Sequence, residues 1–321
     1  MPMNPIQPVT TRPVEINVVE PLSPALERAK RILFRPFDLG KWCIIGFCAW
    51  LACLGESGGT GFHVPAGGGH GGGVENFRHA FENARNYVLN NLGWIVPLAA
   101  AMLVIGLGLW LLLLWLNSRG KFMFLHCVAL DQAGVSKPWN QFAHEGNSLF
   151  LFRLGLGLIG WGLTLPLVAV IAVIIFKMVQ RGKPDVSGII GATALGLALI
   201  AVATVLAVIH KLTTDFVVPV MFLRRSRCLT AWKELWKLLS AHAGLFVLYL
   251  LFSLVLAMVT GMLVMMVMIA TCCFCCLMLL PYVGTVVLLP VLVFKRSYPL
   301  YFLAQFGPEY DVFPPAAPPV V

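Results

Sequence analysis

Charge is what this sequence has least of. Of its 321 residues, 12% are Asp, Glu, Lys or Arg, only 14 are acidic, and 59% are apolar or aromatic. A soluble domain carries about 25% charged residues. Half that share cannot cover a globule of this size with water-compatible surface, so an ordinary soluble domain is excluded and lipid must solvate much of the exterior. The shortage of acids also removes the material for general acid–base work. No Ser/His/Asp, His-Glu-x-x-His or paired-carboxylate arrangement is present, and an enzyme is not expected. Histidine is equally sparse. His79, His126, His144, His210 and His242 form no i, i+4 pair, and His63 and His70 lie in a glycine-rich stretch without a carboxylate beside them. No metal and no cofactor is therefore expected. No cleavable leader is expected either, because the first 20 residues are polar and Pro-rich without a continuous apolar core. The first apolar segment is expected to act as an uncleaved anchor.

Cysteine is present, with nine residues, but not in a disulfide pattern. Cys43, Cys48, Cys53, Cys272, Cys273, Cys275 and Cys276 lie in apolar stretches, and Cys127 and Cys228 lie beside them, while the expected external segment, 55–93, has none. A secreted framework shows the reverse. The run Cys272-Cys273-Phe274-Cys275-Cys276 contains two overlapping CxxC pairs, yet no second pair completes a tetrahedral site. Small apolar filling is the expected role of these thiols.

Charge-free gaps locate the membrane crossings. One crossing takes about 20 residues at about 1.5 Å each. The longest gap, 238–294, would make a helix of roughly 85 Å and must hold two crossings and a turn. Either the Leu-Pro-Tyr-Val-Gly run at 280–284 or the region from Thr271 can supply that turn, and Pro and Gly favour the first. The spans expected are 40–56, 94–117, 151–177, 187–210, 243–270 and 277–295, the first being short enough for a tilted or re-entrant element. The fold class that follows is an all-α, polytopic transmembrane helix bundle of about six spans. One membrane domain, 21–313, would lie between disordered tails, 1–20 and 314–321, with a flexible glycine-rich outer loop at 55–73.

The net charge of +9 then reads as orientation. With the N-terminus inside, 18 Lys and Arg fall on the cytoplasmic side and 5 on the other, the bias of the positive-inside rule. Both termini are expected in the cytoplasm, and no nucleic-acid partner is implied.

Three amphipathic stretches flank the spans. In 23–37, Ser23 is placed to cap a helix with Pro24 in its first turn. Leu26, Ala29, Ile32 and Leu33 form a stripe there, with Arg28, Lys30, Arg31 and Arg35 in reach of anionic headgroups. In 229–242, Leu229, Trp232, Leu235, Trp236 and Leu239 recur at helical spacing, with Lys233 and Lys237 on another face, as at a membrane boundary. A third stretch carries Phe77, Phe81, Ala84 and Val88.

Within the spans the candidate functional residues are Lys211, Asp215 and Arg153. Lys211 and Asp215 are four apart after the fourth span and would pair if that helix continues. Intramembrane ionisable groups mark function by default, whereas a snorkelling lysine neutralised by its helical neighbour is the bland alternative.

Several segments together carry a resemblance: AKRILFRPFDLGKW with the following AWLA, then SRGKFMFL, PWNQF, GNSLFLFR, DFVVPVMF and LPYVGTVVLLPVLVFKRSYPLYFLAQFGPEY. They resemble an uncharacterised family of bacterial multi-pass inner-membrane proteins over most of 21–313. The order of DFVVPVMF, a basic turn and an amphipathic helix is also distantly similar in layout to the membrane domain of glycerophosphodiester phosphodiesterases. The catalytic barrel and its metal-binding carboxylates are absent from the sequence given. The resemblance implies architecture and location in a bacterial cytoplasmic membrane, and no activity. The function expected is a non-enzymatic membrane component that binds lipid, including anionic lipid at the cytoplasmic face, or a membrane-protein partner. The alternative is a transporter or permease for a small solute or lipid. A solid apolar bundle with an amphipathic collar would favour the first, and a hydrated polar cavity at the midplane the second.

Overall fold

The computed structural model describes residues 16–35, 37–54, 91–181, 186–270 and 281–313. Outside them lie the glycine-rich stretch 55–73, His63, His70, the third amphipathic stretch, the Cys272–Cys276 run, and the tails 1–15 and 314–321. Among the described residues the secondary structure is helical, with no strand.

In chain order the helices are α1 (Leu22–Phe34), α2 (Leu39–Cys53), α3 (Leu92–Leu130), α4 (Ser136–Gln141) and α5 (Ala143–Arg181). The helix α6 runs unbroken from Val186 to Arg224, with a π turn at Thr213–Val217. Then come α7 (Cys228–Ala241), α8 (Ala243–Ala270), α9 (Pro281–Val287) and α10 (Leu289–Ala304). Four helices, α3, α5, α6 and α8, are long and apolar enough to cross a membrane, and α2 is a shorter apolar helix. The chain is a membrane protein. The sixth expected span divides into α9 and α10 at Leu288. Pro281–Gly284 opens a helix rather than reversing the chain, as suits a proline in a first turn.

The helices outrun the charge-free gaps. At 39 residues, α3 is about 58 Å long, nearly twice the ~30 Å hydrocarbon core. Ser118, Arg119 and Lys121 mark where water or headgroups begin but do not end the helix, because Lys and Arg are good helix formers. The helix ends instead at Asp131, which turns left-handed at φ 55°. Two cations satisfy that end. Arg28 donates to the carbonyls of Val128 and Ala129 at 3.1 and 2.6 Å, and Lys41 Nζ lies 2.8 Å from Asp131 Oδ1. Positive charge at a helix C-terminus is favourable.

The molecule is therefore built in two unequal halves. The apolar lengths of the four long helices contribute almost nothing to the protein core and present Leu, Ile, Val and Met outward. The core lies at the other end, among α1, α2, the last turns of α3, the first turns of α5, the end of α6, α7 and α10. There α2 crosses α3 so closely that Gly120 rests on the backbone of Leu51 and Ala52.

Val18 belongs to this core, with Ile16 packed against it, rather than to a loose tail. Val18 is buried, its carbonyl accepts the Tyr298 hydroxyl at 3.0 Å, and Asn17 and Gln305 exchange two hydrogen bonds. The first amphipathic stretch is corrected as well. The helix starts at Leu22 with Pro21 before it, so Ser23 lies inside the first turn and caps nothing. Its inward stripe is Ala25, Ala29, Ile32 and Leu33, packed on α10, while Leu26 faces out. Arg28 is engaged by the end of α3.

In α7 the inward residues are Cys228, Ala231 and Leu235. Leu229 and Trp236, expected on one stripe with Leu235 and apart from the lysines, are 66% and 63% exposed. They share the outward arc with Lys233, Lys237 and Ser240, since positions 229, 233, 236, 237 and 240 project within about 100° of one another. Burial pushes the Cys228 thiol up to about 12. The thiolate is the nucleophile, so maleimide at pH 8 is expected to leave Cys228 unmodified in the folded protein. A cysteine placed at exposed Thr230 should react. Peptide mapping reads both, and equal modification would contradict this packing.

Candidate functional site

The π turn in α6 has a local cause. Pro219 has no N–H to donate to the carbonyl four residues back, that of Asp215, and its ring crowds that carbonyl. The backbone relieves this by widening one turn, and the Val218 N–H donates to the Thr213 carbonyl, five residues back. Such π turns sit frequently at functional sites. Here the extra residue places Thr214 and Asp215 against three other helices.

Asp215 is buried, its side chain 9% exposed. Its Oδ2 lies 2.6 Å from Lys211 Nζ and accepts the Tyr249 hydroxyl of α8 at 2.8 Å. One residue earlier, Thr214 is held from both sides: its Oγ1 accepts from Lys121 of α3 and its carbonyl accepts from Arg296 of α10, each at 2.7 Å. Lys121 and Arg296 are both buried. Aromatic rings wall the cluster. Tyr249 stacks on Tyr298 with centroids 5.6 Å apart, and Phe216 and Phe302 each approach Tyr249 to 4.8 Å.

Beside the cluster, a cleft of about 330 Å³ opens between α6, α8 and α10. It is lined by Lys211, Lys295, Ser253 and the side chains of Tyr249 and Tyr298, with Ala207, Val208, Leu250, Leu254, Leu256 and Ala257. The Lys211 side chain is 42% exposed there.

The structure thus joins Lys211 with Asp215 and places Arg153 in a second polar cluster. Arg153 donates from Nη1 to Asn117 Oδ1. Asn117 in turn donates from Nδ2 to the carbonyls of Ala52 and Leu54, at 2.7 and 2.6 Å. Those carbonyls belong to the end of α2, which would otherwise lack partners, so Arg153 orients the residue that caps α2. Both clusters lie far along α5 and α6 from Arg181 and Val186. Lys211 follows Val186 by 25 residues, and Arg153 precedes Arg181 by 28, separations of about 38 and 42 Å along a helix. Each exceeds the ~30 Å hydrocarbon core.

Sequence reasoning misses Asn117, Lys121, Tyr249, Lys295 and Arg296. Lys121, Lys295 and Arg296 look in the sequence like boundary charges and nothing more. Tyr249 has no local signal, because its partner is 34 residues away. Among the described residues no group of three His, Cys, Asp or Glu is placed to hold a metal ion.

A family model whose description is a family of unknown function (DUF7544) matches residues 16–281. This fits the resemblance to an uncharacterised family and lends no support to the layout likeness with glycerophosphodiester phosphodiesterase membrane domains. No curated protein and no solved structure matches.

Proposed function

We propose that this chain, which belongs to the DUF7544 family of unknown function, is a multi-pass protein of a bacterial cytoplasmic membrane. Both termini lie in the cytoplasm, and the protein acts by binding lipid or a membrane partner at the cytoplasmic leaflet rather than by catalysis. The observation that carries this reading is the outward face of α7. Leu229 and Trp236 stand exposed beside Lys233 and Lys237, on a helix whose other side is fixed in the core. An isolated amphipathic helix lies down on a membrane reversibly. Here the fold holds the face in place, at the end of the bundle where the charged clusters collect. Each lysine near an anionic leaflet is worth about 1 kcal/mol, and Trp favours the boundary.

The position of the charged clusters, one membrane thickness from the far helix ends, supports binding over transport. A transporter site is expected near the midplane. The test is lipid analysis of discs excised from native membranes around the full-length protein. Anionic lipid should be enriched over the bulk membrane, and K233Q/K237Q with Trp236→Ala should remove most of that enrichment. A composition equal to bulk for the wild type would overturn the reading. Solute flux in proteoliposomes above that of empty vesicles would favour the permease.

A further inference from the structure

We infer that Arg119, caged between Trp115 and Trp139, binds the phosphate of one phospholipid where α3 and α5 meet. This deepens the proposed function and rests on its lipid-binding reading. Three observations carry it. The first is charge. Among the described residues Arg119 has no ion pair. Its Nη2 donates to the neutral amide oxygen Asn147 Oδ1 at 3.4 Å, and its Nε is buried without an acceptor. Asn147 Oδ1 already accepts a shorter bond, from Trp115 Nε1 at 3.0 Å. A guanidinium carries five N–H donors in a planar fork that matches a phosphate, and most of this fork is unused.

The second observation is preorganisation. The guanidinium carbon lies 4.5 Å from the Trp115 ring centroid and 4.9 Å from that of Trp139, and the two indoles meet edge to face at 5.8 Å. The rings attract the cation through their quadrupoles but leave its charge in place. Gly146 makes room for the arginine stem, since a methyl group there would lie 2.9 Å from Arg119 Cγ. Arg119 is partly exposed, and Asn147 beside it is exposed. The third is depth. Trp94 and Trp115 stand 21 residues apart on α3 with no charged residue between them. That is about 32 Å of helix, one hydrocarbon thickness, and Trp favours both boundaries. Arg119 stands about 6 Å beyond Trp115, inside the headgroup layer that brings a bilayer to about 40–45 Å. On the other side of the cage, Leu112 of α3 and Leu151 of α5 are exposed to receive acyl chains. A free phosphate shares the anion chemistry but leaves those leucines uncovered.

The test is native mass spectrometry of the full-length protein in detergent, titrated separately with dioleoylphosphatidylglycerol, dioleoylglycerol and inorganic phosphate. The two lipids share their acyl chains, and only the first carries a phosphate. One saturable phosphatidylglycerol adduct is expected, roughly tenfold tighter than the dioleoylglycerol adduct, the scale of a hydrogen bond to a charged group. Arg119→Gln should remove most of that preference. It also removes the cation from the cage, so Asn147→Asp serves as a second variant. At this exposed position the carboxylate keeps an acceptor for Trp115 and Arg119 and neutralises the guanidinium. Asn147→Asp should abolish the preference without lowering the melting temperature, whereas a purely structural arginine would leave the preference unchanged. Equal binding of the two lipids, or a preference that survives Asn147→Asp, would overturn the site. Displacement of the lipid by an equal concentration of inorganic phosphate would overturn the lipid as its source. The α7 reading is separable, because K233Q/K237Q should leave this adduct intact. Absence of the adduct alone sinks the Arg119 site, whereas absence of both the adduct and the anionic enrichment sinks the shared reading.

Discussion

Asp215→Ala is expected to destabilise the folded protein by about 3 kcal/mol, the lower end of the cost of breaking a buried ion pair. The cost arises from what remains. Lys211 loses its partner, the Tyr249 hydroxyl loses its acceptor, and buried Lys121 and Arg296 stay bound to Thr214 beside a site that no longer holds a negative charge. The lower figure applies because Lys211 is half-exposed and can find water or headgroups. Asp215→Asn should fall between, since an amide oxygen still accepts from Tyr249 while the charge is gone. In the Asp215→Ala background, Lys211→Met should recover part of the loss, because it removes the orphaned cation, and the double-mutant cycle measures that coupling. The midpoint of heat-induced loss of monodisperse protein in detergent reads all three. An Asp215→Ala protein as stable as the wild type would refute the clustering of these charges.

Gly120→Ala is the second large effect, and its sign is opposite to the usual one for a helix. A methyl group at Gly120 would lie 2.6 Å from the Leu51 carbonyl carbon and 2.7 Å from the Ala52 nitrogen. Both are backbone atoms of α2 and cannot swing aside, so the two helices must separate. Overpacking of this kind costs about 1–3 kcal/mol. Separation would also draw the Ala52 and Leu54 carbonyls away from Asn117, three residues before the glycine. In the same helix, a methyl group added at Gly106 or Gly108 would meet nothing within 4 Å. Alanine there should gain up to about 1 kcal/mol of helix propensity. Thermal stability of the three single variants decides the matter. A destabilised Gly106→Ala with an unaffected Gly120→Ala would contradict the α2–α3 crossing.

What is legible in the sequence follows from what membranes demand. Long charge-free runs force helices, and their positions at α3, α5, α6 and α8 can be read because a bilayer admits few alternatives. Helix ends are harder to read. Arg119, Lys121 and Arg153 look like limits of spans, yet a charge ends the hydrocarbon contact and not the helix. Lys211 and Asp215 are legible as a pair because their partnership is local, four residues along one helix. The rest of the cluster joins residues 34 to 93 positions apart, which no periodicity records. The α1 stripe shows the same limit. Ala25 and Leu26 are both apolar neighbours, and only the position of α10 decides that Ala25 turns inward and Leu26 outward. In α7 the spacing groups Leu229 and Trp236 with Leu235 on one stripe, while small Cys228 and Ala231 join Leu235 in the packed positions because α7 lies close to the π turn.

The central claim is that the fold presents the outward face of α7 to an anionic cytoplasmic leaflet. Fluorescence quenching at that face tests it most directly. A bimane label on Trp236→Cys, with the native cysteines replaced, would be measured in discs containing lipids brominated near the headgroup. The account predicts blue-shifted emission quenched more strongly by brominated phosphatidylglycerol than by brominated phosphatidylcholine, with the difference removed by K233Q/K237Q. Emission at the wavelength of a water-exposed label, unquenched by either lipid, would contradict it.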